Sequence, residues 1–260
     1  MGAMDWILAI DAGNSVTRVA AVRAREVLAK GRVPTRWTDL ADRLRHMVEG
    51  FQCRLGRPPE TVGISNVVPE QGPALASAAA GTGAPVVCVN PDAAAGLTIA
   101  YRPAESLGPD RIANAVAVWQ AFGTACIAVD LGTALTIDVV DAAGVFRGGA
   151  IFPGMSAARG ALGQTTARVD SVVEGVAPSS VIGGSTREGV SSGLGYGYPA
   201  VIDGLLHQVR SELEDGAPAV LTGGGRRLMA RPPTGITRCD PHLTLRGVAA
   251  VAAAESRATG

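Results

Sequence analysis

The pattern of hydrophobic and polar positions predicts alternating strands and helices in the first half of the chain. Short apolar runs of strand length occur at residues 7–10, 16–22, 61–64 and 85–89. Apolar residues recur at helical spacing in residues 39–50, and an Ala-rich helical segment follows around residues 70–80. Strands that alternate with helices in this way are typical of an α/β domain.

The second half of the chain begins in a similar way. A helix predicted over residues 110–122 precedes strands at 126–130, 134–140 and 145–151. The remaining residues are mostly helical in pattern, with predicted helices at 154–168, 186–195, 198–214 and 244–256 and a strand at 218–221. We therefore predict two lobes, at residues 4–118 and 119–260, with boundaries accurate to a few residues.

Each half opens with an apolar strand that ends at an acid and turns at a glycine and a hydroxyl. The two segments are DAGNS at 11–15 and DLGTA at 130–134. Either one alone is explained by an ordinary hairpin turn, in which Asp, Gly and Asn are favoured. Two matched copies also suit a nucleotide, because glycine lets the backbone approach phosphates and carboxylates offset the charge of a cation. In this interpretation Ser15 and Thr133 donate hydrogen bonds, while Asp11 and Asp130 hold cations or their waters.

A third segment, SLGPDR at 106–111, places an acid and an arginine at the start of a predicted helix. Phosphoryl transfer to an alcohol needs a carboxylate near the attacking hydroxyl and a cationic group for anionic oxygens. Asp110 suits the first role and the planar guanidinium of Arg111 suits the second. An Asp that caps its helix and an Arg in a surface ion pair explain the same residues equally well.

Composition and charge narrow the class of protein. With 47% hydrophobic and 18% charged residues, the 260-residue chain is expected to fold and bury a sizeable core. Lys plus Arg equals Asp plus Glu, at 23 each, which gives no support for a nucleic-acid or membrane-surface partner. The 4 cysteines form no metal-binding motif, so we expect reduced core residues in a soluble cytoplasmic protein.

Taken together, these segments resemble type III pantothenate kinase, a family of the acetate and sugar kinase, Hsp70 and actin superfamily. The resemblance covers nearly the whole chain in the same order. It rests on LAIDAGNS (8–15), ISNVVP (64–69), Tyr101 ahead of GPDR (108–111), VDLGTALTIDVV (129–140), GGAIFPG (148–154), GGSTREGVSSG (183–193), LTGGG (221–225) and DPHLTLRGV (240–248).

The resemblance implies a fold and an activity. The fold would be α/β, with two RNase H-like lobes of the actin-like ATPase type. The activity would be ATP-dependent phosphorylation of pantothenate to 4'-phosphopantothenate, the first step of coenzyme A biosynthesis. The family also implies Mg²⁺, a monovalent cation (K⁺ or NH₄⁺), and a homodimer in which parts of each pantothenate site lie near the interface.

The resemblance also implies roles for individual residues. Asp110 would be the general base on the primary hydroxyl of pantothenate, and Asp130 would bind the monovalent cation. The implied ATP-binding residues are Asp11, Ala12, Gly13, Asn14, Ser15, Val16, Thr17, Arg18 and Thr133. The implied pantothenate-binding residues are Tyr101, Gly108, Pro109, Asp110, Arg111 and Thr186.

Several positions depart from the family pattern. Ser15 stands for the commoner Thr and keeps its hydroxyl, and Arg18 stands where related sequences carry Lys. Pro109 stands where Ala is frequent and removes an N–H beside the proposed base. Asp170 adds an acid in a loop near the acceptor side. The alternatives are therefore a kinase of the same fold acting on another small alcohol or a nucleoside, and a non-catalytic nucleotide-binding regulator.

Two further features have competing interpretations. Glu188, one helical turn beyond Thr186, is either a second acid near the substrate or part of a solvated helix face, and the solvated face is favoured. Gly223–Gly225 follow a predicted strand and either face adenine or ribose, as glycine turns of the superfamily do, or form an ordinary turn.

Overall fold

The computed structural model describes residues 5–165, 177–213 and 216–259, and these residues form two compact units. The first unit contains the chain up to Ala121, together with Gly144–Phe146 and the residues from His242 onward. The second unit contains Phe122–Ala143 and Arg147–Pro241. The division of the chain into lobes at residues 4–118 and 119–260 stays a prediction. In the structure, the C-terminal helix belongs to the first unit.

The described residues form strands and helices in the following chain order: β1 (Ile7–Ala12), β2 (Val16–Arg23), β3 (Glu26–Pro34), α1 (Leu40–Leu55), β4 (Thr61–Asn66), α2 (Gly72–Ala80), β5 (Val86–Cys88), β6 (Thr98–Ile99), α3 (Pro109–Phe122), β7 (Cys126–Leu131), β8 (Ala134–Val140), β9 (Val145–Pro153), α4 (Met155–Thr165), α5 (Thr186–Leu213), β10 (Ala219–Thr222), β11 (Arg238–Cys239) and α6 (Leu243–Thr259). Among these helices, none combines the length and apolarity needed to cross a membrane.

The sheet of the first unit has the order β3-β2-β1-β4-β5. Its central strand β1 is antiparallel to β2 and parallel to β4, so the carboxyl ends of β1 and β4 lie side by side. Helix α6 covers β1 and β4, and a Cβ on Gly63 would lie 2.8 Å from the carbonyl oxygen of Val248. The near-continuous apolar sequence of β1 follows from burial on both faces of the sheet.

The sheet of the second unit repeats this order, with strands arranged β9-β8-β7-β10-β11. Its central strand β7 is antiparallel to β8 and parallel to β10, as β1 is to β2 and β4. The first two residues of β9, Val145 and Phe146, belong to the first unit and pair with β6. The predicted α/β class is therefore confirmed, and the repeated strand order explains why the two halves of the sequence open alike.

The structure corrects the predicted helices at 186–195 and 198–214, which form one continuous helix, α5. The helix contains Pro199, which cannot donate to the carbonyl group four residues earlier. That carbonyl belongs to Gly195, and it accepts a hydrogen bond of 2.9 Å from the N–H of Ala230 instead. A distant part of the chain therefore restores the bond that the proline removes, and the helix continues.

The prediction that the cysteines are core residues was wrong for three of the four. Cys126 is buried in β7, where loss of solvation raises the pKa of its thiol to about 12. The others are exposed because they lie on the outer side of a helix or on short edge strands, at Cys53, Cys88 and Cys239. All four are free thiols.

Candidate functional site

The first acid turn lies at the carboxyl end of β1, in the hairpin to β2. Asp11 is only 3% exposed and is the next-to-last residue of β1. Its Oδ2 lies 3.3 Å from Nη1 of Arg18, its cross-strand neighbour. Its Oδ1 accepts a hydrogen bond of 3.2 Å from Oγ of Ser65 on β4. The carboxylate is thus held at the sheet edge, where the guanidinium of Arg18 offsets its charge.

The turn after Asp11 is supported by a threonine from outside the hairpin. Thr35 is fully buried, and its hydroxyl donates a hydrogen bond of 2.6 Å to the carbonyl oxygen of Gly13. The N–H of Thr35 donates to the carbonyl oxygen of Ser15 at 3.1 Å. Asn14 and Ser15 are exposed at the tip. Sequence reasoning missed Thr35 because it follows β3, an edge strand whose half-exposed pattern gave no strand signal.

The second acid turn lies in the hairpin between β7 and β8. The N–H of Gly132 donates to the carbonyl oxygen of Ala134 at 2.9 Å, which closes the turn. Asp130 is half-buried and Thr133 is exposed at the tip. Across residues 5–165, 177–213 and 216–259 there is no cluster of three or more His, Cys, Asp or Glu side chains that could hold a metal ion.

Two glycines from distant motifs lie against this second turn. Gly223 has φ +89°, and a Cβ there would lie 2.5 Å from Oδ1 of Asp130. Gly154 donates its N–H to the carbonyl oxygen of Thr133 at 3.1 Å, and a Cβ there would lie 2.7 Å from the carbonyl carbon of Thr133. The segments LTGGG and GGAIFPG therefore leave the space that the acid turn and its carboxylate occupy.

The segment SLGPDR, which carries the proposed base, leads into the first turn of α3. The carbonyl oxygen of Gly108 accepts hydrogen bonds from the N–H groups of Arg111 and Ile112, at 3.1 and 3.2 Å. Oδ1 of Asp110 accepts from the N–H of Arg111 at 2.9 Å. A Cβ on Gly108 would lie 2.5 Å from the same Oδ1, so only glycine leaves room for this position of the carboxylate.

An aromatic pair holds the guanidinium of Arg111. Its Cζ lies 5.3 Å from the ring centroid of Tyr101 and 5.7 Å from that of Phe146. The two rings contact each other edge to face, with centroids 6.1 Å apart. The N–H of Ala100 donates to the carbonyl oxygen of Phe146 at 3.1 Å, which explains why Tyr101 and Phe146 meet. Arg111 is only 6% exposed, so this cation–π arrangement restricts its orientation.

Burial changes the acidity of the proposed base. Loss of solvation raises the pKa of the Asp110 carboxyl above its ordinary value, and this effect outweighs the N–H and the charge of Arg111, which lower it. A carboxylate with a raised pKa is a stronger base than an exposed one. Perturbed acids of this kind are frequent in catalytic sites.

Pro109 lacks an N–H beside the proposed base, but its position in the structure means that no hydrogen bond within the helix is lost. Pro109 is the first residue of α3. The N–H of the first helical residue has no partner within its own helix, and the fixed φ of proline suits this position. Pro109 is therefore explained by the start of the helix and does not indicate a different acceptor.

The segment around Thr186 is the N-terminus of α5, and Thr186 is its exposed first residue. Oε2 of Glu188 accepts a hydrogen bond of 2.7 Å from the N–H of Gly184, and the N–H of Glu188 donates to Oγ of Ser185 at 3.2 Å. Ser185 therefore caps the N–H of Glu188, and the exposed Glu188 reaches back to the N–H one residue before the cap, in an arrangement related to a capping box. Asp170 lies outside the described residues.

Comparison with protein families gives one match that covers most of the chain. Residues 7–208 match the family model described as type III pantothenate kinase. A type III pantothenate kinase of Frankia casuarinae is 37% identical over 245 residues, which is 93% of this chain and 96% of that protein. A type III pantothenate kinase of Anaeromyxobacter dehalogenans is 33% identical over 246 residues, with the same shares of both chains.

Solved structures with low sequence identity share the fold. The ROK hexokinase of Thermus thermophilus superimposes with a TM-score of 0.53 at 18% identity, over 97% of this chain and 99% of that one. Component A of the (R)-2-hydroxyglutaryl-CoA dehydratase of Acidaminococcus fermentans gives 0.55 at 14% identity, over 98% and 100%. The predicted actin-like ATPase fold is therefore confirmed.

Proposed function

Because this chain belongs to the type III pantothenate kinase family, we propose that the first turn of α3 activates pantothenate and that the two acid turns bind ATP. The enzyme transfers a phosphoryl group from ATP to pantothenate in coenzyme A biosynthesis.

Asp110 is the general base in this proposal. Its carboxylate accepts the proton of the primary hydroxyl of pantothenate as that oxygen attacks the terminal phosphorus of ATP. The bond from that phosphorus to the bridging oxygen breaks, and ADP leaves with the electron pair. The observation that carries this role is the position of a carboxyl group fixed at the first turn of α3 beside a guanidinium, where burial raises its pKa.

Arg111 binds an anionic oxygen of the substrate. Tyr101 and Phe146 hold its guanidinium in one orientation, so little side-chain freedom is lost when an anion binds. Gly108 and Pro109 shape the same turn, and Tyr101 presents its hydroxyl 3.5 Å from Nη1 of Arg111. We assign Thr186 to the pantothenate site on the strength of the family motif that it shares.

The acid turns supply the ATP-binding groups. In the first turn these are the residues from Asp11 to Arg18, where backbone N–H groups, the Ser15 hydroxyl and the Arg18 cation face phosphate oxygens. Thr133 supplies a hydroxyl from the second turn. Magnesium, when bound, neutralises phosphate charge as in other kinases.

The monovalent cation is assigned to Asp130. The fit is supported by a half-buried carboxylate and by Gly223, whose missing Cβ leaves room for Oδ1 in its observed position. A carboxylate and nearby carbonyl oxygens are suitable ligands for a hard cation such as K⁺. Potassium bound there would hold the second turn in its binding conformation.

A homodimer is part of the proposal. Apolar side chains are exposed on the second unit, and they include Ile151 at 62%, Phe152 at 41% and Ile182 at 83%. The ring of Phe152 contacts Tyr198 of α5. Exposed apolar groups of this size favour association with another protein surface. Light scattering of the purified protein measures the mass, and a monomer at assay concentrations would contradict the dimer.

The assignment of Asp110 is tested by Asp110→Asn, which keeps the shape but removes the basic oxygen. We expect ADP release with pantothenate to fall by a factor of about 100 or more, while binding of ATP is retained. Turnover is followed by coupling ADP release to a second enzyme, with and without pantothenate. Unchanged turnover in the variant would exclude Asp110 as the base, and pantothenate-independent ADP release by the wild type would contradict the acceptor.

A further inference from the structure

We propose that Thr35 is a positioning residue for ATP, which fixes the first acid turn so that the backbone N–H of Asn14 points toward the phosphates. This inference rests on the proposed role of residues 11–18 in ATP binding. Thr35 lies in neither acid turn and belongs to none of the motifs on which the family resemblance rests. Its position was revealed by the contacts that it makes.

Thr35 binds the turn at two carbonyl groups. Its hydroxyl donates to Gly13 at 2.6 Å, and its N–H donates to Ser15 at 3.1 Å. Oγ1 of Thr17 lies 3.0 Å from Oγ1 of Thr35. A hydroxyl has one proton, and that of Thr35 is used on Gly13, so Thr17 is the donor to Thr35. Thr35 and Thr17 are both fully buried, which excludes water as a substitute partner at this position.

These bonds determine where the N–H groups of the turn point. In a trans peptide the C=O and the N–H lie on opposite sides of the peptide plane. Because the C=O of Gly13 points at Thr35, the N–H of Asn14, which belongs to the same peptide group, points away from it. Asn14 is exposed at the tip of the turn, and we place the phosphates on the side to which this N–H points. Backbone N–H groups in such turns are common phosphate donors.

Thr35→Val tests the inference, because valine keeps the shape and removes the hydroxyl. The carbonyl group of Gly13 loses its buried partner, and the turn is then free to rotate. We expect the KM for ATP to rise about tenfold, the change that corresponds to one lost hydrogen bond. The KM for pantothenate should stay within about twofold of the wild type, since Tyr101 and Asp110 belong to other segments of the chain than this hairpin.

Thr35→Ser and Thr61→Val are the controls. Serine keeps the hydroxyl and should restore the wild-type KM for ATP. Thr61 is also buried, on β4 of the same unit, and shares a hydrogen bond of 2.6 Å with Ser256. Asn66, at the other end of β4, pairs with Ala12 beside the first acid turn. At the rise of a strand, Thr61 lies about 16 Å from that end. Its replacement should lower the thermal stability without changing the KM for ATP.

Three outcomes are distinguishable when Ser15→Ala is measured in the same series. A raised KM for ATP in Thr35→Val, restored by serine, supports the inference. A raised KM in Ser15→Ala with a wild-type KM in Thr35→Val overturns it. Wild-type KM values in both variants mean that the turn does not bind ATP, and the proposed site fails instead. If Thr35→Val does not fold, Thr17→Val replaces it, with an expected rise in the KM for ATP of about threefold and the same contradicting result.

Discussion

Gly223→Ala should disturb the proposed cation site through a single added methyl group. Gly223 follows β10 and has φ +89°, a conformation that side chains other than glycine rarely adopt. The new Cβ would lie 2.5 Å from Oδ1 of Asp130 and would also collide with the backbone of Leu131. Neither the carboxylate nor the strand end can keep its position. Gly224→Ala is a matched control, because a Cβ on Gly224 meets nothing within 4 Å and its φ is −73°.

The expected magnitude has two parts. Placing alanine in a left-handed backbone conformation costs about 1–2 kcal/mol. Forcing a methyl group against fixed backbone atoms adds about 1–3 kcal/mol. We therefore expect the free energy of unfolding to fall by roughly 2–5 kcal/mol, which corresponds to a decrease in Tm of roughly 4–20 °C. Gly224→Ala should change the free energy of unfolding by less than about 0.5 kcal/mol.

The functional consequence is measured by the response of the rate to potassium. Displacement of the Asp130 carboxylate should raise the half-activating K⁺ concentration of Gly223→Ala about tenfold, with Gly224→Ala unchanged, as expected for the loss of a charged ligand worth about 1.4 kcal/mol. Asp130→Ala should abolish the dependence on potassium. The reasoning is refuted if the two glycine variants unfold at the same temperature, or if Gly223→Ala and Asp130→Ala both keep the wild-type response to K⁺.

Two further predictions concern the acceptor cluster. Because burial raises the pKa of Asp110, kcat should fall on the acidic side at a higher pH than for an exposed carboxylate, and the folded state should bind this proton more tightly than the unfolded state. The ionised form therefore opposes folding above the raised pKa, so Asp110→Asn should increase the Tm at pH 7, and an unchanged or lower Tm would contradict this sign. Phe146→Leu removes a ring that orients Arg111 and should raise the KM for pantothenate about fivefold with the KM for ATP unchanged. Phe51→Leu in the α1 core serves as its control, and equal effects of both variants on the KM for pantothenate would argue against an orienting role.

Local features of the site could be predicted from the sequence because they depend on neighbouring residues. The two acid turns and the start of α3 are set by turn and helix-start chemistry within a few positions. The S-x-x-E spacing of Ser185 and Glu188 also carried a capping signal, although Glu188 was interpreted as a solvated or acidic side chain. The order of strand, acid, glycine and hydroxyl is also local, and its repetition at 11–15 and 130–134 indicated two similar α/β halves.

By itself, the sequence determined which local segments carry acids, glycines and hydroxyls, and it identified the family through their order along the chain. Only the tertiary structure decided which residues support them. Ser65 reaches Asp11 through parallel pairing, Phe146 reaches Arg111 through β9, and the carbonyl group of Gly195 meets Ala230 in place of the N–H that Pro199 lacks. Such contacts depend on strand order and register over long separations in the chain. Periodicity within a strand or helix carries no information about either, because it reports only which face of an element is buried.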